Sequence, residues 1–111
     1  MPAHATAQQN TTFRLRPDGR VASWNDRAAR LLGYSADEAI DRYFAWFFPM
    51  AEVQRGESER VLRLAGASGL HESEGWRLRK DDSRFWARVA VAAIRDEAGD
   101  LEGFAVVTFA G

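Results

Sequence analysis

The chain contains two histidines, His4 and His71, and no cysteine. His4 lies in a stretch of small and polar residues, and His71 stands alone beside Glu72 and Glu74, which is not the ligand spacing of a metal site. His71 therefore reads as a solvated loop or strand-end residue. The carboxylate pairs Asp37-Glu38 and Asp96-Glu97 fall at a helix start and a hairpin turn, where capping and solvation account for them. Two-carboxylate acid–base chemistry thus has no concave polar cluster behind it. No serine sits between the glycines of a nucleophile elbow, and no glycine run opens a helix to cradle a phosphate. The lack of cysteine removes thiolate nucleophiles, thiolate metal sites and disulfides, and fits a reducing compartment. We expect no catalytic and no metal-binding residues: the chain reads as non-enzymatic.

Binding is a different matter. Tyr43-Phe44-Ala45-Trp46-Phe47-Phe48 places five aromatics in six positions ahead of Pro49. Such density has to be buried as core, line a small-molecule pocket, or do both. A second unusual segment is Arg84 to Arg95. Phe85, Ala87, Val89, Val91 and Ala93 alternate there with Trp86, Ala90, Ala92 and Ile94 around Arg88, so both sides of one strand are apolar. A strand wet on one face would not carry that pattern.

The elements that must position these residues follow from local signals. Phe13 and Leu15 alternate with arginines, Pro17-Asp18-Gly19-Arg20 supplies a turn, and Val21 to Trp24 reads as a second strand, giving a β-hairpin. Asn25-Asp26 caps a helix over Arg27 to Leu32 that Gly33 ends. Ser35-Ala36-Asp37-Glu38 is a capping box for a second short helix ending near Arg42. A helical turn is expected in the aromatic run. Ala51 to Ala65 reads as a longer amphipathic helix with Gly56 a weak point, stopped by Gly66 and Gly69. The period then changes to two for three antiparallel strands, Glu74 to Lys80, Arg84 to Arg95 and Leu101 to Phe109, with turns at Asp81-Asp82-Ser83 and Asp96 to Asp100. The result is an α+β fold: a five-stranded antiparallel sheet with several short helices on one face.

At 111 residues the chain is one domain, with residues 1–11 expected as a flexible tail or linker stub and 12–111 as the folded unit. A net charge of −1 with scattered Lys and Arg gives no nucleic-acid footprint. The longest apolar run, around Tyr43 to Met50, is too short to span a membrane and no signal peptide opens the chain, so a cytoplasmic location is expected.

Several of these segments, in order and spacing, are similar to the PAS family: Asp18-Gly19-Arg20-Val21 with Trp24-Asn25, Leu31-Leu32-Gly33-Tyr34-Ser35 with Glu38-Ala39-Ile40, and Glu74-Gly75-Trp76-Arg77-Leu78-Arg79-Lys80-Asp81. Phe85-Trp86-Ala87, Ile94-Arg95-Asp96, Gly99 and Gly103-Phe104 complete the series over Phe13 to Thr108. The chain resembles bacterial PAS modules upstream of histidine kinases. Asp41 and Asp82 stand where many members have Gly, and Asp tolerates left-handed backbone better than most residues. The chain closes without the Asp-and-Thr motif that often leads from a PAS domain into a coiled coil.

The resemblance implies a sensory or relay module that dimerises, passes a signal to an effector such as a histidine kinase, and binds a small molecule; the alternative is a structural dimerisation module without ligand. Haem in such domains needs an axial His on the long helix, and Ala51 to Ala65 has none. Covalent flavin chemistry needs a Cys where this chain has Ala45-Trp46-Phe47-Phe48. The cofactor is otherwise unassigned.

Two registers are open at Asp81-Asp82, one pairing Leu78 with Phe85 and the other, with a bulge, pairing Arg77 with Phe85. The Gly usual at position 82 suggests a left-handed residue and the bulged form. Trp46, Phe47, Arg77, Phe85, Ala87 and Val89 then line the candidate pocket, and Trp76, Leu78, Trp86 and Ile94 form the candidate dimer or partner surface.

Overall fold

A computed structural model describes residues 9–110. Strands β1 (Gln9–Leu15), β2 (Leu70–Leu78), β3 (Arg84–Arg95) and β4 (Leu101–Ala110) form one antiparallel sheet in the order β1-β4-β3-β2. Helices α1 (Asp26–Leu32), α2 (Ala36–Ala39), α3 (Met50–Gln54) and α4 (Glu57–Ser68), with a 3-10 turn over Phe44–Phe47, fill the stretch between β1 and β2. The antiparallel α+β class is as expected, but the sheet has four strands and not five.

The missing strand is Val21 to Trp24. Only Val21 bridges Leu15, and Arg20 bridges Tyr43. On its other side Val21 exchanges both backbone bonds with Asp41 and Arg42, at 2.9 and 2.8 Å. Ser23 then turns its hydroxyl to the Arg14 amide and Asn25 becomes the α1 cap, so the chain leaves the ladder after one residue. Conversely, β1 begins at Gln9, which puts the last three residues of the expected tail into the sheet. Thr11 is buried opposite Thr108 and reaches the Asn25 side chain. Residues 1–8 of that tail lie outside the described residues.

The end signals act as read. Asn25 accepts from the Ala28 amide, Gly33 closes α1 in the left-handed region, and Ser35 and Glu38 form a complete capping box. Asp41 and Asp82, the two departures from Gly, both hold positive φ, 74° and 68°. The single helix expected over Ala51 to Ala65 is two helices, broken at Gly56 (φ 70°), because a left-handed residue cannot continue an α-helix. At Gly103 (φ 151°) a Cβ would overlap the Leu15 carbonyl oxygen, so β1 and β4 lie this close only because residue 103 is Gly.

The core lies between the inner sheet face and the helices, from Phe13, Leu15, Val21, Leu32, Phe44, Phe47, Val61, Val89 and Val106 among others. The β2–β3 turn is tied to α1: the Lys80 amide donates to the Leu32 carbonyl at 2.9 Å and Arg79 Nε to the Leu31 carbonyl at 3.1 Å. No helix among the described residues is long and apolar enough to cross a membrane.

Candidate functional site: the two faces of the β2–β3 hairpin

Asp82 decides the register. Its left-handed backbone closes the Arg79–Ser83 turn, with the Arg79 amide donating to the Ser83 carbonyl and the Asp82 amide to the Arg79 carbonyl, and Arg77 then pairs with Phe85 and Trp76 with Trp86. Alternation does the rest. Phe85, Ala87, Val89 and Val91 point inward and are buried, while Trp86, Arg88, Ala90 and Ala92 point outward. On β2, Arg77 goes in and Trp76 goes out.

Of the six expected pocket residues, five meet the interior. Phe47 packs against Phe13, Trp24 and Tyr34, with ring centroids 5.1 to 5.9 Å apart in that cluster. Phe85, Ala87 and Val89 line the inner sheet face, and Arg77 is 4% exposed. Trp46 does not join them. It is 40% exposed, because a 3-10 turn repeats every three residues and sends Phe44 and Phe47 inward and Trp46 out. There Trp46 donates to the Tyr34 hydroxyl at 2.8 Å, carries the Arg42 guanidinium 4.0 Å above its ring, and lines an open cleft of about 450 Å³ with Tyr43, Ala45 and Val53.

Arg77 lies with its guanidinium 3.9 Å over the Phe48 ring. Its Nη1 donates to the Trp76 carbonyl at 2.9 Å, and its Nε is buried without a partner. Burial pushes its pKa down to about 10, against the opposing pull of Glu52 and Glu57, so it remains charged at neutral pH.

On the outer face Trp76 and Trp86 meet edge to face, 5.2 Å between centroids, and remain 43% and 48% exposed. Leu78 follows on the same face and is half-buried. Ile94 shares the face but sits at the bulge opposite Gly103, eight residues or roughly 27 Å along β3 from Trp86, and does not join the tryptophans. Sequence reasoning missed Phe109 and Leu70, both exposed on this face; Phe109 crosses from Arg88, whose guanidinium lies 5.2 Å from its ring. The alternation of Ala105, Val107 and Phe109 on β4 was the available signal. His71, expected in a loop or at a strand end, is the second residue of β2 on its inner side, opposite Val91.

Among the described residues no group of three or more His, Asp or Glu side chains is placed to hold a metal ion. The geometry offers a packed interior with one buried cation and an apolar outer face, joined by residues that alternate along the same two strands.

Comparison with known proteins bears on this arrangement. Two-component system protein A of Emericella nidulans is 39% identical over 103 residues, which is 93% of this chain and 15% of that protein's length. The PAS domain of a Colwellia psychrerythraea protein superposes with a TM-score of 0.80 at 21% identity, covering 89% of this chain and 83% of that one. The PAS domain of a LuxR-family transcriptional regulator from Burkholderia thailandensis, solved in complex with ethanol, gives a TM-score of 0.68 at 22% identity over 88% and 84% of the two chains. The PAS domain family model matches residues 10–109, nearly the whole described chain. This chain is a member of the PAS domain family.

Proposed function

We propose that the domain is a sensory or relay module of signal transduction that pairs with a second copy through its outer sheet face and hands a change at the helix–sheet interior to an effector such as a histidine kinase. The observation that carries this reading is the hairpin itself: Arg77 and Phe85 face the interior while their chain neighbours Trp76 and Trp86 face outward, half-exposed. A displacement of the inner pair moves the outer pair through one peptide unit. The likeness to a two-component system protein supports the signalling context.

Half-exposed indoles leave on the order of 200 Å² of ring surface per protomer in water. Covering it contributes on the order of 5 kcal/mol per protomer at about 25 cal/mol per Å², against the entropy of association. A two-fold axis lets the patch serve as its own complement. Trp86→Glu should convert a dimer to a folded monomer by light scattering; a wild type that is monomeric at high micromolar concentration, or a dimer that tolerates the change, refutes pairing through this face.

A second reading, a dimerisation module without ligand, is favoured by the packing of Phe13, Trp24 and Phe47 in the space beside the expected pocket. Native mass spectrometry of freshly purified protein separates the two: a bound small molecule supports sensing, and bare dimer supports the structural role.

A further inference from the structure

The large apolar side chains left exposed among the described residues fall into two groups. Leu70, Trp76, Trp86 and Phe109 belong to the outer sheet face, and Tyr43, Trp46 and Met50 stand on the helical side. Tyr43 and Trp46 line the open cleft of about 450 Å³, together with Asp41, Arg42, Ala45 and Val53. No strand contributes to its walls, so the cleft is distinct from the helix–sheet interior and from the outer sheet face. Met50 stands one turn before Val53 on the same side of α3 and extends the apolar surface past the cleft.

The side chains of this surface are already held in place. The Trp46 indole donates to the Tyr34 hydroxyl, and Arg20 Nη2 donates to the Tyr43 hydroxyl at 2.9 Å with its guanidinium 4.6 Å over that ring. Arg42 lies over the Trp46 ring and donates from Nε to the Glu38 carbonyl at 3.1 Å. Little rotamer freedom is left for a partner to freeze. Charge is uneven here. Asp41 pairs with Arg16, Arg20 with Asp18 at 3.6 Å and Glu52 with Arg55 at 3.2 Å, whereas Arg42 has no carboxylate partner among the described residues. The cleft thus offers aromatic walls and one unpaired guanidinium whose Nη donors are unspent.

We infer that this cleft docks a segment of a partner protein in which an aromatic or large aliphatic side chain neighbours a carboxylate. The apolar side chain lies between Tyr43, Trp46 and Val53, and the carboxylate takes the Nη donors of Arg42, a pairing that a planar guanidinium favours. Trp, Tyr and Arg are the residue types that dominate the energy of protein–protein contacts, and Met is enriched there as well. All four stand on this surface. A small-molecule site encloses most of its ligand, whereas this cleft is open to solvent and continues into an exposed margin at Met50. Docking here is independent of pairing through the outer sheet face. It does reach the core, because Tyr34 accepts from Trp46 and packs edge-on against the buried Phe47, ring centroids 5.9 Å apart.

The test is fluorescence anisotropy with a panel of labelled short peptides that set Phe, Trp, Leu or Met beside Asp or Glu, each matched by its Asn or Gln counterpart, with the Trp46 indole N–H resonance followed by NMR. The expected result is saturable binding by acidic members that shifts Trp46 and leaves Trp76 and Trp86 in place. Affinity should be about tenfold weaker for the amide counterparts and about tenfold weaker in Arg42→Gln, the two losses not adding because they remove the same contact. Met50→Ser, at an exposed position, should weaken the acidic members as well while leaving the Trp46–Tyr34 bond untouched. No saturable binding by any member, equal binding of acidic and amide peptides, unchanged affinity in Arg42→Gln, or shifts confined to Trp76 and Trp86 overturns docking at this cleft. So does an equal Trp46 shift from free phenylacetate at the same concentration, which makes the cleft a small-molecule site, or self-association of the Trp86→Glu protein that Met50→Ser abolishes, which makes a second copy the occupant.

Discussion

The two sides of β3 share one backbone and both carry apolar side chains, the outer one interrupted by Arg88, and they differ in what covers them. Phe85, Ala87, Val89 and Val91 lie under helices and neighbouring side chains and are buried. Trp86, one peptide away, makes its main contact with the equally exposed Trp76. Inside, apolar character is consumed by the fold of a single chain; outside, the same character is left for another surface. Hydrophobicity along a strand therefore says that both faces are to be covered, and only the fold says which is covered by the chain itself.

Neighbouring substitutions test that contrast most sharply. Phe85→Ala should destabilise the monomer by roughly 3–5 kcal/mol in urea denaturation, the usual range for truncating a buried aromatic ring, and it also removes the ring beneath the Arg79 guanidinium, 4.5 Å away. A loss below about 1 kcal/mol would mean that the inner face is not the core.

Trp86→Ala, measured at concentrations too low for pairing, should change stability by under about 1 kcal/mol, since half of the ring is already in water and its loss leaves no cavity. At high concentration the wild type alone should gain stability with protein concentration, as association with a folded partner requires. Equal losses from the two neighbouring substitutions would erase the difference between the faces.

The smallest effect is at the hairpin tip. Lys80 donates to the Glu38 carboxylate, and this bond, first, with the Ser35 amide second, holds Glu38 below its ordinary pKa. A carboxylate lowered in the folded state stabilises above its unfolded pKa and loses that contribution as pH falls through the folded value. Lys80→Ala should move the Glu38 titration, followed by carboxyl NMR, back toward the ordinary value and flatten the acid limb of the stability curve. An unmoved titration would assign the shift to the Ser35 amide alone.

How much of this was open to a sequence reader depends on the kind of signal. Local chemistry was legible: Asn25 and Gly33 act within four residues to mark both ends of α1, and the Ser35–Glu38 box marks the start of α2, whereas α2 stops at Ala39 and not near Arg42 because Ile40 is already extended and Asp41 left-handed. The hairpin register was legible too, because a left-handed residue at position 82 selects one pairing of two. What failed depended on partners distant in sequence. Val21 to Trp24 has the composition of a strand, but Val21 turns to Asp41 and Arg42 for its bonds. The first residues of β2, Leu70 to Ser73, are too polar to announce a strand and are held by pairing with β3. For the site, inward and outward residues of the two strands were separable, whereas Trp46 was misplaced because an aromatic run does not reveal a three-residue period. Gly56 was visible as a weakness, but only a left-handed φ turns a weakness into a break.

The link between the hairpin tip and α1 has a consequence for the order of assembly. Helix α1 has seven residues, too few to persist alone in water, and two of its final carbonyls are satisfied by Arg79 and Lys80, the Arg79 bond reaching across 48 positions. Closing so long a loop carries an entropy cost before any contact offsets it. The last turn of α1 should therefore become protected late in folding, together with the β2–β3 turn, and the Lys80 amide should exchange with solvent only through openings that release both at once.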